Sequence, residues 1–366
     1  MSRFSFARPT AWAVTVAAVL ATNLPAFAAP QYKVEFLKAD SPNATTVAIG
    51  INDAGTVIGG AGSTYSAFTW QGGQFTWLTP STQESLASGI NNQGTVVGRI
   101  RTGDTERAVI WQGNTPQVVA QGSDATLVKI NNAGTAVGML TATPSDHTQA
   151  IIWQNNALAI LPAVSGATDS YALSINDAGA VLGYSFVADG GVAWIWQDGQ
   201  TQPLTMGGST WTTANAINNQ GDILGGASGA SVLWRQGQLT RLESLPGNGA
   251  ASGLALNEQG QVVGYSYGTE DDLSIPWFRA TLWENGQAYN LNDLVVNSLE
   301  GGTLEHALGI NEKGQIVGRA YFGTDVRGFV LTPVPEADAL LMLGVGLPMV
   351  WGLRAFTRRG RREHQS

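Results

Sequence analysis

The chain has 366 residues, 46 of them Gly, with 43% apolar and 13% charged residues and no Cys. That composition excludes a disordered chain and removes disulfides, thiolate metal sites and cysteine nucleophiles. The formal charge is −8, but seven of the 19 basic residues and one of the 27 acidic residues lie in 1–28 and 354–366, so the middle carries −14; an acidic middle excludes nucleic acid as a partner, since phosphate binding needs a basic surface.

Residues 1–28 read as a secretory signal peptide. Arg3 and Arg8 supply the positive start, residues 11–20 a short apolar run, and Ala26-Phe27-Ala28 the small residues before a cut between Ala28 and Ala29. A membrane anchor is the competing reading, and the run is short for one. Residues 32–37, Tyr-Lys-Val-Glu-Phe-Leu, then alternate apolar and charged side chains, the period of a strand with one wetter face.

From Ile51 a nine-residue pattern recurs: an apolar residue, Asn, two variable residues, Gly, three residues and a final Gly. Its copies start at Ile51, Ile90, Ile130, Ile175, Ile217, Leu256 and Ile310, spaced by 39, 40, 45, 42, 39 and 54 residues. The first copies hold Asn52, Gly55 and Gly59, then Asn91, Gly94 and Gly98, then Asn131 and Gly134. The later ones hold Asn176 and Gly179, Asn218 and Gly221, Asn257 and Gly260, and Asn311 and Gly314. A Trp follows each of six copies: Trp70, Trp111, Trp153, Trp196, Trp234 and Trp283. After the seventh the slot reads Gly328-Phe329-Val330-Leu331.

Each unit reads as four short antiparallel strands. In the first these cover 47–51, 56–59, 66–71 and 74–78, with Asn52 to Gly55 as a turn. Asn can bond backbone two residues on, and Gly can take positive φ. The two residues between them vary (Asp53-Ala54, Asn92-Gln93, Glu258-Gln259, Glu312-Lys313) and read as outward positions without a role. Four strands per ~40–45 residues predict an all-β, seven-bladed β-propeller over residues 29–333; a parallel β-helix is the competing repeat fold. The seventh copy lacks a fourth strand, and residues 32–37 are the spare strand that would close the ring. The longest spacing points to an insertion at 267–273 in blade six. With excursions at 141–147 and 322–326 it should crowd one rim, where binding usually resides.

Residues 334–366 change character. Val334, Pro335 and Glu336 precede an apolar run, 339–353, and an arginine cluster, 354–362. The run is at the short edge of a bilayer span, and the arginines would stay in the cytoplasm.

The repeats resemble the HAF family of bacterial extracellular repeats: Ser66-Ala67-Phe68-Thr69-Trp70 followed by Ser88-Gly89-Ile90-Asn91-Asn92-Gln93-Gly94-Thr95-Val96-Val97-Gly98 matches the family's His-Ala-Phe-x-Trp and Ile-Asn-x-x-Gly segments over about 46–331. The family's His is absent; its place holds Ser66, Arg107, Gln149, Val192 and Arg279. The C-terminus resembles a PEP-CTERM sorting signal, with Pro335-Glu336-Ala337 in place of Pro-Glu-Pro. The resemblance implies recognition by an exosortase-type enzyme at the inner membrane, loss of the tail, and delivery to the surface or matrix of a Gram-negative, exopolysaccharide-producing bacterium. A plain single-span anchor is the alternative.

Chemistry is sparse. The three His, His147, His306 and His364, lie far apart in sequence, so neither a zinc site nor a Ser-His-Asp triad is supplied; no nucleophile elbow or phosphate loop stands out, and no cofactor is expected. Asp53 and Asp177 suggest calcium, but each turn offers at most one carboxylate, so turn geometry is the better reading. Glu270-Asp271-Asp272 is denser and reads as a solvated loop. The six repeated Trp suit packing between sheets, whereas Trp77, Trp194, Trp211 and Trp277 fall outside that register and are the better candidates for exposed ligand contacts. The expectation is an exported, non-enzymatic propeller whose rim loops bind exopolysaccharide or envelope proteins. The alternative is a glycan hydrolase or lyase with its site in the central channel.

Overall fold

The computed structural model describes residues 29–39, 45–80, 82–120, 124–142, 146–205, 211–247, 249–269 and 276–335. The chain divides into two units, Met1–Pro30 and Gln31–Ser366. The signal segment 1–28, the acidic triplet 270–272 and the tail from Glu336 on, with its apolar run and arginines, lie outside the described residues. Among the described residues no helix is long and apolar enough to cross a membrane.

The second unit is a seven-bladed β-propeller: seven four-stranded antiparallel sheets, each in up-and-down order. In blade one the strands are Thr46–Ile51, Val57–Ala61, Ser66–Gln71 and Gln74–Trp77. The inner strands of blades two to seven are Ser85–Ile90, Asp124–Ile130, Asp169–Ile175, Trp211–Ile217, Ala250–Leu256 and Thr303–Ile310. Apolar clusters fill the spaces between neighbouring blades, which is where a propeller keeps its core.

The two glycines of the repeat do different work. Gly55 has φ +82° and ends the turn between the first two strands, a conformation that strains any residue with a Cβ. Gly59 faces a β-bulge instead. The inner strand slips register between Ala48 and Gly50, and a Cβ on Gly59 would overlap the Val47 carbonyl oxygen. Every blade carries this bulge, for example at Ala87/Gly89 and Ala172/Ser174, so every blade needs the second Gly.

The ring closes with the strand from the other end of the chain. Tyr32–Phe36 pairs antiparallel with Asp325–Pro333, in register Tyr32↔Pro333 to Phe36↔Phe329, and becomes the outer strand of blade seven. Its free edge is covered as well. The Asn297 side chain accepts from Val34 N at 2.8 Å and donates to Val34 O at 2.9 Å, so the closing strand offers no bare edge there.

The repeated tryptophans divide in two. Trp70, Trp111 and Trp283 are buried, while Trp153, Trp196 and Trp234 are half-buried; Leu331 fills the slot, fully buried, in blade seven. Two strand assignments need correction. Residues 267–269 continue the second strand of blade six, Val262–Thr269, and residues 322–326 form a tight hairpin between Ile316–Phe322 and Asp325–Pro333 instead of an excursion. The extra length of blade six also comes from a 3₁₀ turn, Leu291–Leu294, ahead of blade seven. Its Asn292 side chain locks onto both Leu304 N and Leu304 O.

Candidate functional site

The two faces of the disc have opposite characters. One holds the Asn-x-x-Gly turns. Asn52 Oδ1 accepts from Ala54 N and Thr56 N within its own turn, which leaves the amide nitrogen facing the next blade. That nitrogen donates to Asn91 O at 3.1 Å. Asn91, Asn131, Asn176, Asn218 and Asn257 repeat the contact, each to the following blade, and Asn311 donates back to Asn52 O at 2.9 Å. Seven buried side chains thus form a closed ring of hydrogen bonds.

A second ring lies beside it. The backbone N–H of Asp53 donates to Asn92 Oδ1, that of Asn92 to Asn132, then to Asp177, Asn219, Glu258 and Glu312, and Glu312 N returns to Asp53 Oδ1. The reading of these as outward positions without a role is therefore corrected. They vary only among Asp, Asn and Glu, because each must present a side-chain oxygen to its neighbour. The turns bring Asp53, Asp177, Glu258 and Glu312 around one well of about 220 Å³ on the axis. Burial pushes the Glu312 carboxyl up from the ordinary glutamate value, with Glu258 and Asp53 adding to the rise and hydrogen bonds opposing it. Among the described residues no three His, Cys, Asp or Glu are grouped to hold a metal.

The other face holds the loops between second and third strands. It carries exposed aromatics: Tyr65 (45% exposed) in blade one, Phe186 (45%) in blade four and Tyr267 (42%) in blade six. Tyr171 and Tyr184 stack at 4.9 Å beside Phe186. A hollow of about 580 Å³ opens on blade six between Trp277, Arg279, Tyr289, Asn290, Asp293 and the loop residues Leu245 and Pro246. Its volume is that of a small-ligand pocket. The walls are set firmly. The Trp277 ring lies over Gly268, where a Cβ would come within 2.8 Å of the indole, and Asn290 caps the 3₁₀ turn that carries Asp293. Arg279 donates to Phe278 O at 2.8 Å and sits 6.0 Å from the Trp277 ring centroid.

Inward from the pocket stands His306. It stacks on Phe278 (5.2 Å) and lies tilted against Tyr265 (4.6 Å), and Arg319 Nη2 approaches its Nε2 at 3.3 Å. Burial, then the Arg319 charge, lowers its pKa to about 4, so the ring is neutral. His306 Nδ1 and Arg319 Nε have no hydrogen-bond partner. Burial raises the adjacent Glu305 carboxyl against the pull of Arg279 and Arg319.

Of the four tryptophans expected to be exposed, none is: Trp77 and Trp277 are half-buried and the other two are deeper. Trp194 and Trp211 are fully buried, each packed over a repeat glycine, Gly183 and Gly225, that leaves room for the indole. Trp77 is half-buried against Phe75 and Phe68. Trp277 lines the blade-six pocket. Sequence reasoning missed His306, Arg319 and Glu305, because their meeting with Tyr265 and Phe278 depends on the packing of blade seven against blade six.

No family model and no curated protein matches the chain. Solved structures do. A streptogramin B lyase aligns at TM-score 0.51 and 10% identity, over 83% of this chain and 98% of its own. A virginiamycin B lyase from Staphylococcus aureus, with quinupristin, aligns at 0.50 and 10%, over 83% and 100%. YCF48 bound to a peptide aligns at 0.50 and 12%, over 86% and 100%. The likeness is one of fold.

Proposed function

We propose that the chain is an exported, non-enzymatic surface or matrix propeller that binds polysaccharide on its loop face. The observation that carries this is the Trp277 pocket. Aromatic faces suit the apolar faces of sugar rings, while Arg279, Asn290 and Asp293 offer donors and acceptors for hydroxyls at the same opening. The other face is committed to its two rings of hydrogen bonds. Export, exosortase sorting at Val334, Pro335 and Glu336, and release to an envelope or exopolysaccharide matrix rest on the sequence resemblances. A glycan array probed with the wild-type protein and with Trp277→Ala tests the binding reading. Glycans retained by the former and lost by the latter are expected; equal retention by both, or none by either, overturns it.

A second reading, a glycan hydrolase or lyase, is favoured by one observation: neutral His306 and the raised Glu305 both stand beside Arg319, a pairing of titratable groups typical of acid–base sites. Release of reducing ends from any glycan the protein retains, abolished in His306→Ala, would favour it over simple binding.

A further inference from the structure

Blade five carries smaller residues on the loop face than either of its neighbours. Beyond the bulge glycine, the second strand of blade four carries Tyr184 and Phe186 and that of blade six carries Tyr265 and Tyr267. The matching positions in blade five are Gly226, paired with Thr213, and Ser228, in a two-residue turn with Gly229. Blade five therefore raises no ring towards blade six, and a gap opens between the two blades; the Tyr265 and Tyr267 rings lie on the far face of blade six, with Phe278 and with His306 of blade seven.

The gap is filled by two further hollows. The inner one, about 230 Å³, lies between Thr213, Asn215, Gly226 and Ser252 near the channel. The middle one, about 240 Å³, lies between Ser244, Ala250 and Tyr267. The two share Gly229, Ala230, Ser231 and Ala251 as walls, and the middle hollow shares Leu245 and Pro246 with the Trp277 pocket. Hollows with common walls, in line from channel to rim, describe one groove.

The groove's chemistry is that of a sugar track. Its floor is small and polar. Asn215 Nδ2 is fixed by Gly253 O at 2.7 Å, and Ser231 Oγ accepts from Gly253 N at 3.0 Å, so these groups hold set positions. Tyr267 borders its middle part, and Trp277 with Tyr289 lines its outer end. Its charges balance: Arg241 faces Glu243 at 3.7 Å in the middle hollow, and Arg279 and Asp293 share the outer pocket. A polyanion gains nothing from a balanced groove, and the −14 of the chain's middle would repel it.

We infer that the groove across blades five and six holds a linear, uncharged polysaccharide over several sugar units, with the Trp277 pocket as its outer subsite. This rests on the polysaccharide reading above and specifies it. A terminal sugar would fill the outer pocket alone, whereas a chain would run on over Gly226 towards the channel.

The test measures affinity of the full chain for neutral α- and β-glucan oligomers of increasing length, from disaccharides upward, beside oligouronates of the same lengths. Two variants block the groove without touching the outer pocket. Gly226→Tyr, made together with Thr213→Ala because a Cβ at 226 would come within 2.6 Å of Thr213 Oγ1, installs the ring that blades four and six already carry, and Ala250→Tyr obstructs the middle from an exposed position that tolerates replacement. Affinity should rise with length in one neutral series. Both variants should weaken the long oligomers by about tenfold or more and leave the disaccharide unchanged, while Trp277→Ala weakens every length. Affinity independent of length but still sensitive to Trp277→Ala would overturn the groove and leave the polysaccharide reading standing. Tighter binding of oligouronates would overturn the neutral assignment. Binding of no oligomer of any length would overturn both.

Discussion

The side-chain amide of Asn311 donates to the backbone carbonyl of Asn52 at 2.9 Å, joining the last repeat to the first. The contact is the same as the six between consecutive repeats, so the seam between the first and last copies is bonded like any other joint. Removing it takes from the Asn52 carbonyl one of its two donors, leaving Gly55 N–H, and orphans the N–H groups of Lys313 and Gln315, which the Asn311 oxygen serves. Asn311→Ala should therefore cost about 2–4 kcal/mol, since each unsatisfied buried group costs roughly 1–3. Asn311→Asp keeps the acceptor and loses only the donor, so it should fall between the two. Urea unfolding of the three proteins checks the order, and equal midpoints for all three would refute the ring's contribution.

The outer strand of blade seven makes a second prediction. Tyr32, Val34, Phe36 and Leu37 are all buried, and Phe36 meets Phe322 edge-on at 5.0 Å. Phe36→Ala should cost ~3–5 kcal/mol, as large truncations in a core do. Deleting residues 31–37 should lower the melting temperature much further, because the blade loses its fourth strand. A deletion variant melting within a few degrees of the intact protein would mean that the ring holds without its closing strand.

The repeated tryptophans should not respond alike. Trp111 is fully buried and its indole N–H has no partner, so Trp111→Ala should cost ~3–5 kcal/mol for the cavity. Trp111→Phe sacrifices some volume but no hydrogen bond, and should cost far less. Half-buried Trp153→Ala should cost about 1–2 kcal/mol, between a core and a surface site. Chemical denaturation ranks the three, and an equal cost at both positions would contradict the burial difference.

His306 sets a pH dependence. Its folded pKa of about 4 lies below the ordinary 6.5, so the unfolded chain takes up a proton that the folded protein refuses. The stabilisation is present above pH 6.5 and is lost as pH falls from there through about 4. His306→Phe keeps a ring between Phe278 and Tyr265 but has no proton to bind. Its unfolding free energy should decline less steeply than that of wild type across this window. Parallel curves would show that His306 titrates normally.

The seven blades were legible because Asn52, Gly55 and Gly59 are backbone requirements, of a turn and a bulge, and backbone requirements recur at fixed spacing. The spare strand at 32–37 could be read from the missing fourth strand in the last repeat. The second ring was misread because Asp53, Asn92 and Glu258 differ as residue types; what they share is one acceptor oxygen, and only the convergence of the turns on the axis shows its use. Trp194 was misread for a related reason. It lies on the same face of its strand as Trp196, two residues earlier, in the slot that Phe68 and Phe329 fill in blades one and seven, above a repeat glycine. The groove could not be read locally, because it is made by what blade five lacks relative to its neighbours.

The sharing of blade seven between the two ends of the chain also bears on how the molecule comes to exist. Tyr32–Phe36 is among the first strands made, and its partner, Asp325–Pro333, is the last. During synthesis the first strand must wait, with Tyr32, Val34 and Phe36 unburied, while the intervening blades form from local contacts. Such a wait exposes an apolar strand to misassociation and makes ring closure the slow, non-local step. A chain cut short anywhere before residue 325 never completes the circle, so closure reports that the whole array has been made.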